Sequence, residues 1–191
     1  EAVPSKELNS DDHENGTTHW YYANSKGEIT IPTADGEVGV VKTIDGKSYL
    51  FNSDGEMVTG LRILTYDGSK ITNISSEVDT ADTVKNMNSD TMKLVYFESN
   101  GAAKTGTTTI TLDGTSYTFS FKSNGSPRGV GETGISDGYI YQNGLRLTAD
   151  EDTKYGVVTY KNESYVVNEK GSIQKNKKNL KDADELSLIH I

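Results

Sequence analysis

The sequence contains no cysteine, which excludes disulfides, thiolate metal sites and cysteine nucleophiles. Proline is scarce, with 3 residues, and tryptophan occurs once, as Trp20. No apolar run approaches the roughly 20 residues that a membrane-spanning helix requires. The sequence therefore predicts a chain without a membrane span.

Positive charge is also scarce. The formal net charge is -9, from 19 Lys and Arg against 28 Asp and Glu, and the one basic stretch lies at residues 175–181. A protein that binds a phosphate backbone needs a basic surface. Nucleic acid is therefore not a predicted partner.

Hydrophobic residues make up 33% of the chain, while glycine (19) and tyrosine (11) are plentiful. A thick globular core would be difficult to build from this composition. A thin, turn-rich β structure fits it better.

The chain contains an internal repeat. Residues 43–55 recur without gaps as residues 159–171, and a third copy at residues 111–125 carries two extra residues. Partial copies occur at residues 20–27 and 94–101, and a shortened one at 138–144. Repeats of about twenty residues are typical of stacked repeat arrays.

Each repeat is interpreted as a β-hairpin. Asp45-Gly46 and Lys161-Asn162 can take the positive φ angles of a two-residue primed turn. A later Asn-x-x-Gly segment then turns the chain toward the next repeat. Because stacked hairpins can bury one another's Tyr, Phe, Ile and Leu, we predict an all-β fold, a β-hairpin repeat solenoid with a small irregular or helical insertion.

The expected organisation has four parts. Residues 1–18 form an acidic linker or disordered tail, residues 19–131 form repeats with an insertion near 75–91, and residues 132–185 form further divergent repeats. Residues 186–191 resemble the translation of a sequencing adapter and are interpreted as an artefact. In the insertion, apolar residues at every third position indicate a short helix or helical turn, namely Val78, Ala81, Val84 and Met87.

The pattern Gly-x-x-Tyr-x-Phe-Asn-x-x-Gly-x-Met-x-Thr-Gly at residues 46–60 resembles the cell-wall-binding repeats of choline-binding proteins, glucan-binding domains and clostridial toxin receptor-binding regions. Residues 117–184 look like the tail repeats of secreted and surface proteins of Gram-positive anaerobes, which often carry a hydrolase elsewhere. The resemblance implies a β-hairpin solenoid outside the cell, at the cell wall or surface, that binds teichoic acid, choline or glucan.

The sequence departs from choline-binding repeats at their tryptophans. Those repeats hold a quaternary ammonium in an aromatic box, whereas this chain has one Trp and reads Gly60-Leu61 and Gly106-Thr107 where the family has Gly-Trp. A carbohydrate or other wall polymer is therefore the favoured ligand class.

Aromatic side chains are the predicted ligand-binding residues, since their faces can stack on sugar rings. Trp20 is the strongest candidate for an exposed platform. The alternative is that the rings pack between hairpins and supply the thin core. The full set is Trp20, Tyr22, Tyr49, Tyr96, Tyr117, Tyr139 and Tyr141.

No catalytic residue is predicted. Residues 134–138 match the Gly-x-Ser-x-Gly pattern around Ser136, but a nucleophile elbow needs a helix after the serine and a later histidine. A β repeat follows here, and His13 and His19 precede the serine. The segment is interpreted as a Gly-rich turn, and no pair of carboxylates is singled out for glycoside hydrolysis.

No metal or cofactor is predicted either. His13 and His19 lack further zinc ligands at suitable spacing, and residues 52–55 lack the ligand pattern of a calcium loop. Gly46-Lys47-Ser48 resembles the end of a phosphate-binding loop, but Val41 stands where that motif needs glycine.

Two main hypotheses follow. In the first, the chain is a non-catalytic attachment module for bacterial cell-wall or surface polysaccharide of teichoic acid or glucan type. In the second, it is a structural spacer or adhesin stalk that binds little itself. A wall hydrolase is the least favoured third hypothesis.

Overall fold

The computed structural model describes residues 19–124, 128–150 and 152–176, together with the backbone of short strands at 2–4, 18, 180–181 and 187–189. The predicted tail at 1–18 and the adapter-like segment at 186–191 otherwise lie outside the described residues. The chain divides into two compact units. The first unit comprises Glu1–Asp79, Met87–Gly106 and Lys122–Val130, and the second comprises Thr80–Asn86, Thr107–Phe121 and Gly131–Ile191.

The first unit contains a two-stranded sheet and a five-stranded antiparallel sheet. In the smaller sheet, β1 (Ala2–Pro4) pairs with β2 (Thr18–Trp20). The larger sheet has the strand order β4-β3-β6-β5-β7. Its strands are β3 (Gly39–Ile44), β4 (Lys47–Asn52), β5 (Gly60–Asp67), β6 (Lys70–Ile74) and β7 (Met92–Phe97).

The core of this unit is thin. One hydrophobic cluster takes its buried members from four strands and one loop, and Tyr66 and Ala103 are among the partly buried residues packed against it. The buried members of this cluster are Leu50, Leu64, Ile71, Val95, Phe97 and Val130. Consecutive residues are buried in three strands, β4, β5 and β7, so these strands are covered on both faces.

The second unit contains the short helix α1 (Ala81–Asn86), which confirms the helix predicted in the insertion at 75–91. Its five-stranded sheet has the order β10-β11-β12-β9-β8. The strands are β8 (Gly106–Leu112), β9 (Thr115–Phe121), β10 (Gly134–Ser136), β11 (Tyr139–Gln142) and β12 (Leu145–Arg146). Two hairpins complete it: β13 (Tyr155–Tyr160) with β14 (Glu163–Asn168), and β15 (Leu180–Lys181) with β16 (Ser187–Ile189).

The helix is tied to this sheet by a buried side chain. Val84 is fully buried, and the Asn143 amide nitrogen donates a hydrogen bond to the Val84 carbonyl (3.1 Å). The bond satisfies a carbonyl at the end of a helix too short to pair it internally. Phe119, Phe121 and Ile140 are likewise fully buried.

The hairpin turns confirm the all-β hairpin prediction. Both turn residues have positive φ at Asp45-Gly46 (49° and 76°), Asp113-Gly114 (46° and 78°) and Lys161-Asn162 (50° and 63°). Such angles define the primed turns whose twist matches that of the flanking strands. Asp137-Gly138 forms the same turn between β10 and β11, so Ser136 is a strand residue followed by a second strand rather than by a helix.

A second kind of turn recurs six times. In each, a carbonyl two residues before the turn accepts a hydrogen bond from a backbone N–H beyond it. We number these turns 1 to 6 by their first residue: Asn24, Asn52, Glu98, Lys122, Gln142 and Asn168. The six bonds run from Thr30 to Tyr22, Val58 to Leu50, Lys104 to Tyr96, Glu132 to Ser120, Leu147 to Ile140 and Gln174 to Val166, at 2.7 to 2.9 Å.

Asparagine at the first position organises three of these turns. The Asn52 side-chain oxygen accepts hydrogen bonds from the N–H groups of Asp54 and Glu56 (3.0 and 2.8 Å). Asn24 and Asn168 make the equivalent pair of bonds. The side chain thus mimics a backbone carbonyl in the turn, which is why Asn recurs at this position.

Turns 4 and 5 differ in length. In turn 4 the glycine that donates back to the first residue, Lys122, is Gly129 (2.9 Å, φ 78°), seven positions on instead of three. The sequence alignment had closed this copy at Gly125, which lies outside the described residues. Turn 5 is one residue shorter, because Tyr141 pairs with Arg146.

Successive turns stack through their glycines. A Cβ placed on Gly55 would lie 3.1 Å from the Ile29 side chain of turn 1, and one on Gly129 would lie 2.9 Å from the Cβ of Ala103 in turn 3. A Cβ on Gly101 would collide with Met57 of turn 2. In each case the Cβ would meet the residue that stands two positions after the glycine of the preceding turn. We call this residue the overlying residue of that turn.

The same approach recurs in the second unit. A Cβ on Gly171 would lie 2.7 Å from the Leu147 carbonyl oxygen and 2.9 Å from Arg146 Cγ, both of turn 5. A Cβ on Gly131, the residue two beyond the turn 4 glycine, would lie 2.9 Å from the Gly144 nitrogen. The stacking contact is therefore a property of the repeat.

Main-chain hydrogen bonds accompany the stacking. In three turns the overlying residue donates its N–H to a carbonyl of a preceding copy. The acceptor is a strand carbonyl for Met57 to Trp20 (2.8 Å) and Ala103 to Ser48 (2.8 Å), and a hairpin-turn carbonyl for Ile173 to Gly138 (2.9 Å). Because these bonds need close backbone approach, they depend on the absence of a side chain at the turn glycine.

We predict that Gly171→Ala destabilises the protein more than Gly27→Ala. Both glycines have φ near 80°, which costs an alanine about 1 to 2 kcal/mol. A Cβ on Gly27 meets nothing within 4 Å, whereas one on Gly171 meets backbone. The extra overlap should make the loss in free energy of unfolding roughly 1 to 3 kcal/mol larger for Gly171→Ala than for Gly27→Ala. Urea unfolding of the two variants measures this difference. Equal losses would show that the stacking contact is unimportant.

We also predict an alkaline loss of stability that depends on Tyr66. Burial raises the pKa of Tyr66 above its usual value of about 10. The stability that this group contributes is complete below pH 10 and is lost as the pH rises through the raised pKa, because unfolding releases a phenol that ionises more readily. Urea midpoints between pH 8 and 11 should fall less for Tyr66→Phe than for the wild type. Parallel falls would contradict the prediction.

Candidate functional site

Three clefts lie at equivalent positions of the repeat. Each is lined by segments from three successive copies: the strand before one turn, the residues that follow the glycine of the next turn, and the tip of the third turn. The first groove (turns 1 to 3) has a volume of about 710 Å³, the second (turns 2 to 4) about 160 Å³ and the third (turns 4 to 6) about 890 Å³. The stacking of the turns thus creates a groove with constant walls and variable side chains.

Trp20 lies at the edge of the first groove. It is 50% exposed, and the Met57 N–H holds its carbonyl in place. A large aromatic side chain that remains half exposed beside a cleft presents a flat apolar face to a ligand.

Glu56 lies next to Trp20 in this groove, and three side chains hold its carboxylate. His19 Nδ1 lies 3.2 Å from Oε1, the Tyr21 hydroxyl donates to Oε1 (3.3 Å) and the Asn52 amide donates to Oε2 (3.2 Å). Burial, together with the Glu56 carboxylate, raises the pKa of Tyr21. The carboxylate is therefore an oriented hydrogen-bond acceptor in the groove wall.

Arg62 provides an oriented donor in the same groove. Its Nε donates to the Thr59 carbonyl (2.8 Å) and its Nη1 to the Ser75 carbonyl (3.3 Å). Two bonds fix the plane of the guanidinium and leave other N–H groups available. The first groove therefore combines a ring face, an acceptor and a donor.

The third groove has a different character because its own arginine covers Tyr139, one of the two tyrosines that line it. The Arg146 guanidinium lies 3.8 Å from the centre of the Tyr139 ring and donates to the Tyr141 hydroxyl (2.8 Å). Tyr141 is only 4% exposed. One face of the Tyr139 ring is thus covered by Arg146 through a cation–π contact and is not open to a ligand.

The second groove is small and polar. It is lined by Lys47 and Ser48 at the start of β4, by Lys104 and Thr105 after turn 3, and by Arg128 in turn 4. Lys104 pairs with Glu98 (3.0 Å), which also lines the groove.

The seven predicted aromatic residues separate into three groups. Trp20 lines the first groove, and Tyr117 and Tyr139 line the third. Tyr141 is buried. The half-buried Tyr22, Tyr49 and Tyr96 line none of these three grooves, and Tyr22 packs against Phe51 with Lys42 5.0 Å from its ring centre. A ligand-binding role for these residues remains a prediction.

Sequence reasoning missed the polar members of the grooves, because it considered aromatic types alone. The sequence does contain one signal for Glu56. A glutamate directly follows the turn glycine in two copies, as Glu56 after Gly55 and as Glu28 after Gly27. No local signal marks Arg62 or Arg128, whose positions depend on contacts between distant segments.

Among the residues that the structure describes, no group of three or more His, Asp or Glu could hold a metal ion. Within the same residues, no helix is long and apolar enough to cross a membrane.

We predict that Glu56→Gln lowers the pKa of Tyr21 toward its usual value of about 10. The substitution removes the carboxylate charge but leaves the burial of the phenol, so a smaller elevation should remain. Carbon-13 NMR of the tyrosine ring during an alkaline titration measures the change. The matched control is Glu28→Gln, at the equivalent position of turn 1. An unchanged Tyr21 titration in Glu56→Gln would contradict the prediction.

No family model and no curated protein matches the chain. Similar solved structures include CbpJ from Streptococcus pneumoniae, with 19% identity over 84% of this chain and 64% of that one, at a TM-score of 0.39. Choline binding protein F from Streptococcus pneumoniae matches with 20% identity over 82% of this chain and 44% of that one, at 0.30. Truncated alternansucrase from Leuconostoc mesenteroides matches with 16% identity over 75% of this chain and 13% of that one, at 0.32.

The chain spans less than two thirds of the length of each of these three proteins. These TM-scores are too low to establish a common fold, so the function proposed below is based on the residues of this chain.

Proposed function

We propose that the chain is a non-catalytic attachment module that binds bacterial cell-wall or surface polysaccharide through the grooves between its turns. The observation that carries the proposal is the first groove, which is lined by the half-exposed Trp20 together with the oriented Glu56 and Arg62. A sugar ring offers C–H surface to the indole and hydroxyl groups to a fixed acceptor and donor.

The repeat suits attachment to a polymer. A chain molecule with repeating units can occupy several grooves at once, and weak contacts at each groove then combine into strong retention. No single deep pocket is required. An extracellular location at the wall or surface follows from the resemblance of residues 46–60 to cell-wall-binding repeats and belongs to the proposal.

A structural spacer is the second candidate. It is favoured by the third groove, in which Arg146 covers Tyr139 and the neighbouring Tyr141 is buried. A stalk would use such contacts for rigidity alone.

Sedimentation with insoluble cell walls, before and after removal of teichoic acid, separates these candidates. An attachment module sediments with the walls, and loss of retention on stripping would identify a teichoic-acid-type ligand. A stalk stays in the supernatant with every wall preparation. Turnover of wall substrates by the purified chain would contradict both candidates and support a hydrolase.

We predict that Trp20→Ala reduces retention on the bound polymer without abolishing it. Loss of one stacking face should weaken the first groove by roughly 3- to 10-fold, while the other grooves remain. Equilibrium sedimentation with graded amounts of polymer measures the change. Ile135→Ala, an exposed apolar residue outside the three grooves, is the control and should bind as the wild type. Unchanged retention in Trp20→Ala would exclude the indole as a contact.

A further inference from the structure

The second groove concentrates positive charge in an acidic protein. The chain carries a net charge of -9, yet three cationic side chains line this one cleft, against a single carboxylate, that of Glu98. The cations are Lys47, Lys104 and Arg128.

Two stacking contacts bring these cations together from distant segments. The Ala103 N–H donates to the Ser48 carbonyl (2.8 Å), which places Lys47 beside Lys104. Gly129 lies directly under Ala103, which places Arg128 at the same cleft. The lengthened turn 4 supplies Arg128, so the groove acquires its third cation from the four extra residues of that turn.

Only one of these cations is paired among the residues that the structure describes. Lys104 pairs with Glu98, whereas the side chains of Lys47 and Arg128 form no ion pair or hydrogen bond with any described residue. The groove therefore carries a local excess of about two positive charges. Like charges held close together repel, and an anion between them would relieve that repulsion.

We propose that the second groove binds a phosphodiester group of a phosphate-bearing wall polymer. This inference rests on the proposed attachment function and names the chemistry of its ligand. A phosphate presents oxygen atoms in several directions, which suits cations that converge from three separate segments, whereas a carboxylate suits the planar fork of a single arginine.

The size of the groove agrees with this ligand. At about 160 Å³ it is the smallest of the three grooves and holds several water-sized groups, enough for one phosphate. Ser48 and Thr105 add neutral hydroxyl donors to the lining. The Gly46-Lys47-Ser48 segment thus lines an anion site here through stacking, although it does not form a phosphate-binding loop.

The cleft itself is tested with glycerophosphoglycerol, a soluble phosphodiester, on the isotope-labelled full chain. Amide NMR signals of Lys47, Ser48 and Thr105 should shift on titration, and glycerol should leave them unchanged. The double variant Lys47→Gln/Arg128→Gln should weaken the response on the order of 10-fold. Lys26→Gln/Lys161→Gln removes the same charge outside the three grooves and should respond as the wild type. Absent shifts, or equal weakening in both double variants, would overturn the proposal.

Polymers then separate this inference from the attachment function. Poly(glycerol phosphate) should be retained by the wild type and retained less by Lys47→Gln/Arg128→Gln, whereas retention on neutral dextran should be the same for both. If dextran is bound but poly(glycerol phosphate) is not, attachment stands and the phosphate site is wrong. If neither polymer is bound while glycerophosphoglycerol still shifts the groove amides, the site stands and attachment is wrong. Tighter binding of polygalacturonate or of an oligodeoxynucleotide would overturn the assignment to a wall phosphodiester.

Discussion

The contact between a turn glycine and the residue above it is the constraint on which the structure depends. At Gly171 the space that a side chain would fill is occupied by the Leu147 carbonyl and the Arg146 side chain. This closeness lets the next residues of the turn donate hydrogen bonds to the preceding copy, as Ile173 does to Gly138. A chain with only 33% hydrophobic residues thereby gains order from backbone pairing as well as from its thin core.

The grooves are a consequence of that contact. Each groove lies at the same position of the repeat, whereas its volume and its side chains differ. Trp20 gives the first groove an aromatic edge, Lys47 gives the second a cation, and Arg146 covers Tyr139 in the third. One arrangement of turns thus carries three different groove surfaces.

Local features of the fold could be predicted from the sequence, and features that depend on distant contacts could not. Asp45-Gly46 and the helix Ala81–Asn86 were predicted because turn chemistry and periodicity act over a few residues. The third copy was aligned with two extra residues and closed at Gly125, whereas turn 4 closes at Gly129, because no local signal marks which glycine donates back to Lys122. Trp20 was identified by type as a groove candidate, whereas Glu56 and Arg128 reach their grooves only through contacts between turns.

The variation in turn length shows where this architecture accepts new material. Turn 4 is four residues longer than turns 1, 2, 3 and 6, and turn 5 is one residue shorter than those turns, yet both keep the hydrogen bond that closes the turn, to Ser120 and to Ile140. The change in length lies between the first residue of each turn and its glycine. Residues added there should therefore leave the hydrogen-bonded register of the repeat intact.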